Sequence, residues 1–288
     1  MIDIILCCYN QEKTIRQSVE SIFSQEFPKN EPVNLVIADD CSQDSTTQII
    51  KNIIPQKQIS ITYLDSQQNL GLVKNYERAF KVCNGDFVFI LEGDDWWHSP
   101  NHIRQHIEFL REHSDISMTW NRITFYECIG GKYTSHWDSE NTKYKTYTIS
   151  EQILANRIGN LSACCFRGKY IRTLPKKLFD IGFADWLLGM IMAEKGNIAI
   201  LQESTSTYRV TPNGQWSGMT AKEQRDACLK AAEEYDSFFD EKYHSDFELL
   251  KKRLQKENYS WTNRITPKNI IKYILPYGVV KLIQKRGE

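Results

Sequence analysis

Three observations predict an α/β fold whose mostly parallel sheet is flanked by helices and followed by a C-terminal helical extension. Apolar runs of strand length alternate with stretches of helical period. The runs are apolar at successive positions, the habit of strands covered on both faces. The run Phe87-Val88-Phe89-Ile90-Leu91 then ends abruptly in Glu92-Gly93-Asp94-Asp95. In open α/β sheets ligands bind just beyond the carboxyl ends of the strands. These carboxylates stand where a site is expected.

The elements follow in order. Ile2 to Cys8 is a buried strand, and Tyr9-Asn10 breaks it, with Asn10 read as a helix cap. Ile15, Ser18, Val19, Ile22 and Phe23 recur at helical spacing. Val33 to Ala38 is a second strand ending in Asp39-Asp40. Ser42 and Asp44 offer caps for a helix through Ile49, Ile50 and Ile53. Ile59 to Leu64 is a third strand. After Asn69-Leu70-Gly71, a helix carries Val73, Tyr76, Ala79, Phe80 and Cys83, and Gly85 closes it. The alternation βαβαβαβ argues right-handed crossovers in a parallel sheet.

The second half is less regular. Ser99-Pro100 opens a helix from His102 to Glu112. Ile116 to Trp120 is a strand, residues 121–148 keep no period, and Gly130-Gly131 marks a hairpin. Ser162 to Arg167 is a strand, Trp186 to Glu194 a helix after Asp185, and Ile198 to Leu201 a short strand. Residues 221–259 are charged and helical in pattern.

Composition excludes several classes. The chain has 36 basic and 36 acidic residues, so no strong basic field marks it for nucleic acid. Its 8 cysteines show no zinc spacing, and Cys7-Cys8 and Cys164-Cys165 lie in apolar segments that favour buried thiols. No apolar run approaches the roughly 20 residues of a membrane span, and no secretory leader is evident. A soluble cytoplasmic protein is expected.

Glu92, Asp94 and Asp95 repel one another. A divalent cation such as Mn2+ or Mg2+ offsets such charge, and Mg2+ takes one or two carboxylates plus substrate phosphates. The plainer reading is a solvated acidic turn. Asp39-Asp40 lies on the same sheet edge, where a carboxylate can accept from a base imide or from ribose; helix capping is the alternative. No dinucleotide-binding glycine motif, P-loop, zinc-protease motif or nucleophile elbow occurs. His98, His102 and His106 recur every four residues and are read as partly exposed surface histidines. Trp96 and Trp97 suit stacking on an acceptor sugar or a place in the core. Gln215-Trp216-Ser217 is a candidate loop over a diphosphate.

The ordered set Cys-Tyr-Asn (8–10), Ala-Asp-Asp-Cys-Ser-Gln-Asp-Ser-Thr (38–46), Asn-Leu-Gly (69–71) and Glu-Gly-Asp-Asp (92–95) resembles glycosyltransferase family two over residues 1–120. The likeness continues more thinly in Phe-Ala-Asp-Trp (183–186) and Tyr-Arg-Val (208–210). It implies the Rossmann-like GT-A fold and inverting transfer from a nucleotide-sugar, with UDP the commonest donor, to a glycan or lipid-linked acceptor of a bacterial polysaccharide. The catalytic domain would span residues 1–220, with a nucleotide-sugar half (1–97) and an acceptor half (98–220); residues 221–288 form the extension. By this resemblance Tyr9 and Asp39 flank the nucleobase, and Lys13 and Lys74 approach the donor. Asp94 meets ribose or sugar, sharing the metal with Asp95. Asp185 is the general base, and Trp96, Trp97 and Trp186 contact the acceptor. The chain departs from the family at three positions: Glu92 replaces the first aspartate, Ala184 precedes Asp185 where glutamate is common, and Val210-Thr211 lacks a frequent histidine.

Two rivals share this pattern: a non-catalytic nucleotide-sugar or glycan binder, and a sugar-1-phosphate nucleotidyltransferase, which usually has a glycine-rich loop after its first strand. At the far end, residues 267–286 place Ile270, Ile271, Ile274 and Leu275 beside Lys268, Lys272, Lys281 and Arg286. That mixture fits peripheral contact with the inner face of an anionic membrane; packing on the catalytic domain is the alternative.

Overall fold

The computed structural model describes residues 1–53, 59–135, 142–181, 185–211 and 219–259. Its first part runs β1 (Ile2–Cys8), α1 (Ile15–Phe23), β2 (Val33–Asp39), α2 (Thr46–Lys51), β3 (Ile59–Tyr63), α3 (Leu72–Val82) and β4 (Phe87–Glu92). Next come β5 (Trp96–Trp97), α4 (His102–Glu112), β6 (Ile116–Glu127), β7 (Lys132–Thr134), β8 (Tyr144–Tyr147) and α5 (Ile149–Leu154). The remainder is β9 (Cys164–Arg167), α6 (Gly168–Ile171), α7 (Asp185–Lys195), β10 (Asn197–Val210), α8 (Ala221–Phe238) and α9 (His244–Tyr259).

The strands form one 10-stranded sheet in the order β3-β2-β1-β4-β9-β6-β10-β5, with β7 on β6 and β8 on β10. β3, β2, β1 and β4 are mutually parallel. β9 is antiparallel to both its neighbours, whereas β6 and β10 run parallel. Every residue of β1 is buried. Ile5 and Cys7 enter one core, and Ile2, Ile4, Leu6 and Cys8 enter the other. Continuous apolar sequence is therefore what a strand sandwiched between helices requires. Cys228 and Ala232 of α8 and Phe247 and Leu250 of α9 join the first of these cores, where α9 packs on α5 and Tyr235 of α8 meets Trp186 of α7.

Several local readings change. Asn10 caps no helix: α1 begins after Thr14, and Asn10 sits at φ 51°. Its Oδ1 accepts from Gln43 N at 2.7 Å, and its N–H donates to Ser42 Oγ at 2.9 Å, tying the loops after β1 and β2 together. β6 and β10 run well past the apolar segments that predict them, because their continuation is polar yet buried. Thr205, Ser206 and Thr207 are all buried, and Asn121 Nδ2 donates to Ser206 Oγ at 3.1 Å. Such pairing satisfies groups that hydropathy alone assigns to solvent.

His102 and His106 are not surface residues; both are fully buried on α4, and only His98 is exposed. His102 Nδ1 pairs with Thr205 Oγ1 at 2.8 Å and His106 Nδ1 with Thr119 Oγ1 at 2.7 Å. The His102 ring stacks on Trp97 at 4.5 Å. Among the described residues no helix is long and apolar enough to cross a membrane. Residues 267–286 lie outside the described residues.

Burial pushes His106 down to about 3, opposed by the Asn121 amide, and holds His102 well below the usual imidazole range. An unfolded imidazole titrates near 6.5, so as pH falls through that value the unfolded chain takes protons that the folded chain refuses. The contribution of each ring is complete above about pH 6.5 and is lost toward its folded value. The stability advantage of the wild type over His106→Gln is expected to shrink below pH 6.5, by up to about 1.4 kcal/mol per pH unit. Urea unfolding between pH 7 and pH 4.5 measures it, and a gap that stays constant contradicts the account.

Candidate active site

The parallel register brings the acidic strand ends together. Cys8 pairs with Asp39 and Cys7 with Glu92, so both acidic ends emerge on one edge of the sheet. Past β4 the chain turns sharply at Gly93. Thr14 Oγ1 and Ser18 Oγ each donate to Gly93 O at 2.9 Å, and Ser18 Oγ also reaches Asp95 O at 2.6 Å. A side chain at Gly93 would meet Cys8 Cβ at 2.9 Å and clash with the Gln11 amide. Glycine is required there by close approach.

Asp95 is buried, and its carboxylate is taken up internally. Oδ2 accepts from Asn160 Nδ2 at 2.9 Å and Ser162 Oγ at 2.7 Å; Oδ1 accepts from Arg209 N at 2.9 Å. Asp94 differs. Among the described residues its carboxylate accepts only from its own backbone N–H, with the Arg209 cation nearby. Glu92 Oε1 accepts from Tyr76 Oη at 3.1 Å. Burial and mutual repulsion raise the proton affinity of the group. Asp95 is pushed up to about 7, mainly by desolvation and then by Asp94; desolvation also raises Asp94, and Glu92 stands well above the carboxylate range. Asp185, the first residue of α7, adds to the repulsion on Glu92. Burial raises Asp185 too, although its Oδ1 accepts from Trp186 N at 2.7 Å and the Asn156 side chain supplies a further hydrogen bond.

Arg209, on β10, closes one side. Its Nε donates to Asp94 O at 2.7 Å and Nη2 to Gln17 Oε1 at 2.7 Å, while the guanidinium covers Trp96 at 4.7 Å. On the other side a cleft of about 160 Å3 opens between the ends of β2 and β3. Asp39, Cys41, Ser42, Thr47, Tyr63 and Asp65 line it. The Asp39 carboxylate accepts from Ser42 Oγ at 2.5 Å and from Thr47 Oγ1, which leaves it oriented with lone pairs to spare. Asp40 does not face the cleft. It is buried and accepts from Leu70 N and Gly71 N, both at 2.8 Å, fixing the entry to α3.

Other expected contacts fall elsewhere. Tyr9 is exposed beside the β1 end, and Lys13 is exposed after it. Lys74 is engaged with Glu77 at 2.9 Å along α3. The three tryptophans expected at the acceptor are all buried. Trp97 Nε1 donates to Ser162 O at 2.7 Å, Trp186 Nε1 donates to Gln152 O at 2.6 Å, and Trp96 lies under Arg209 against Tyr126. Their rings build the core beneath the site and are not free to stack on a sugar. Phe183, Ala184 and residues 215–217 lie outside the described residues. Asn160 and Ser162 carry no periodic signal in the sequence and emerge only from their bonds to Asp95. Arg209 was signalled by the Tyr-Arg-Val segment.

Among the described residues no group of three or more His, Cys, Asp or Glu side chains encloses a metal. The donor set still fits a hard cation held with a nucleotide, since such an ion needs only one or two carboxylates and takes its other ligands from phosphates and water.

A family model described as glycosyl transferase family 2 matches residues 3–172. An uncharacterized protein of Mycobacterium tuberculosis is 27% identical over 218 residues, 74% of this chain and 60% of the relative. The chain thus spans about 60% of the length of that relative. The poly(ribitol-phosphate) beta-N-acetylglucosaminyltransferase TarS of Staphylococcus aureus is 32% identical over 114 residues, 39% of this chain and 19% of TarS. Among solved structures, S. aureus TarS 1–349 in complex with UDP-GlcNAc superposes with a TM-score of 0.61 at 19% identity, over 80% of this chain and 66% of that one. The mannosyltransferase PcManGT of Pyrobaculum calidifontis, in complex with GDP-Man and Mn2+, gives 0.56 at 15% identity, over 90% and 69%. At these identities the superpositions establish the fold, which is GT-A. With the sequence match covering the strand ends that carry the carboxylates, the chain belongs to glycosyl transferase family 2.

Proposed function

We propose that this protein transfers a sugar, with inversion, from a UDP-sugar to a hydroxyl of a glycan or lipid-linked glycan. The observation that carries the reading is a buried acidic turn at the end of β4, with a second desolvated carboxylate, Asp185, near enough to add to the repulsion on Glu92. A uracil-like base enters the cleft beside Asp39, whose carboxylate accepts from the base imide; Tyr9 flanks it. UDP is favoured because TarS, a family relative, is described with UDP-GlcNAc. Mn2+ or Mg2+ is the cofactor of the proposal, and PcManGT is described with Mn2+.

The two aspartates divide their work. Asp95 has three internal donors on its carboxylate and serves as the anchor of the turn. Asp94 is the residue that would hold the metal. The sequence expectation has Asp94 and Asp95 share the metal; this reading gives it to Asp94 alone. A divalent cation, when bound, offsets charge on the departing nucleoside diphosphate. Asp185 takes the proton from the acceptor hydroxyl as its oxygen bonds to the anomeric carbon and the bond to the diphosphate oxygen breaks. Burial raises the proton affinity of Asp185, which suits it to that step.

Asp185→Asn is expected to leave UDP binding intact while acceptor-dependent release of nucleoside diphosphate falls by roughly 10²–10⁴. Near-normal turnover would reduce Asp185 to a helix-terminal residue. A wild type that binds UDP yet releases none of it from any UDP-sugar and acceptor pair is a non-catalytic binder. Asp94→Asn is expected to weaken UDP binding in Mn2+ with little change in stability. Ser162→Ala removes a donor from buried Asp95 and should lower the unfolding free energy by about 1–3 kcal/mol. Equal stability of Ser162→Ala and wild type in urea would contradict the anchoring role.

A further inference from the structure

The cleft beside Asp39 opens where two strands part. Pairing of β2 with β3 ends at Ile37 and Tyr63, closed by Leu64 N donating to Ile37 O at 2.9 Å. Beyond that point nothing in the ladder fixes how far the two chains stand apart. Arg78, on α3, spans the gap. Its Nη2 donates to Asp39 O at 2.6 Å, and Nη1 donates to Leu64 O at 2.8 Å and Asp65 O at 3.0 Å. All three carbonyls belong to residues that line the cleft. The guanidinium is itself held: Nε donates to Asn75 Oδ1 at 2.7 Å, and Asn75 Nδ2 donates to Ala38 O at 2.8 Å.

We infer that Arg78 is a positioning residue that sets the width of the nucleobase cleft by bridging its two walls. The inference rests on the proposal that this cleft takes the base of a nucleoside diphosphate. Ser42 and Thr47 aim the Asp39 carboxylate, while Arg78 holds the Asp39 main chain, so the two sets of contacts fix different parts of one residue. Only a planar fork reaches both walls at once. A lysine ammonium keeps the charge but cannot reproduce the fixed span between Asp39 on one side and Leu64 and Asp65 on the other.

The test compares UDP with inorganic pyrophosphate, each titrated calorimetrically with Mn2+ into wild type, Arg78→Lys and Arg78→Gln. Pyrophosphate engages the acidic turn without using the cleft. The expected result is a UDP Kd raised about tenfold in both variants, the scale of losing one charge-assisted hydrogen bond to a wall. The pyrophosphate Kd should be unchanged. Unaltered UDP affinity in both variants would overturn the inference. So would a parallel loss for both ligands, because that is the signature of general damage to the fold. A wild type that binds pyrophosphate but gains nothing from the uridine would instead overturn the nucleoside reading of the cleft, and this inference with it.

Discussion

The buried carboxylate of Asp95 is the interaction on which the site depends. It gathers Arg209 N from β10 and the side chains of Asn160 and Ser162 from the segment before β9. Two stretches distant in sequence are thereby fixed to the end of β4. Removing such a carboxylate would leave several buried donors without a partner, and each unsatisfied group costs about 1–3 kcal/mol. Asp95 is therefore a structural carboxylate at the end of β4. Its neighbour Asp94 projects from a rigid turn because Asp95 is fully occupied.

The same division runs through the site. At each acidic strand end one aspartate faces inward to organise backbone and its neighbour remains available. Asp40 binds the amides of Leu70 and Gly71, while Asp39 lines the cleft. Asp95 binds inward, while Asp94 keeps its carboxylate largely free of other described residues. Asp94 lies in desolvated surroundings, and electrostatic interactions are strongest where water is excluded. Carboxylates held in this way attract a cation and repel a free anion.

The parallel half of the fold was legible in the sequence, as was its acidic edge. A strand covered on both faces is apolar at nearly every position, and β1 and β4 are, Asp3 and the terminal Glu92 excepted. The family motifs then pointed to Asp39, Asp94 and Asp185, which lie at the ends of β2 and β4 and at the start of α7. What stayed hidden has a common cause: side chains whose chemistry disagrees with their environment. Thr205, Ser206, Thr207, His102 and His106 are polar and buried, so β10 looked short and α4 looked exposed on that face. For Trp96 and Trp97 the sequence left two readings open, sugar stacking and a place in the core, and both rings are buried. The indole N–H of Trp97 and that of Trp186 each find a backbone carbonyl in the interior. Residues such as Ser162 and Asn160 act through one long-range bond each to Asp95, and no local periodicity encodes such a bond.

The central claim is that Asp94, anchored through Asp95, holds the cation of a donor complex. The most direct measurement is an anomalous difference map from crystals grown with UDP and Mn2+. The account predicts a manganese peak in coordination distance of the Asp94 carboxylate and of the UDP phosphates, with Asp95 still bonded to Asn160, Ser162 and Arg209. A peak held by Asp95 with those bonds broken, or UDP bound at the strand ends with no manganese beside Asp94, would contradict it.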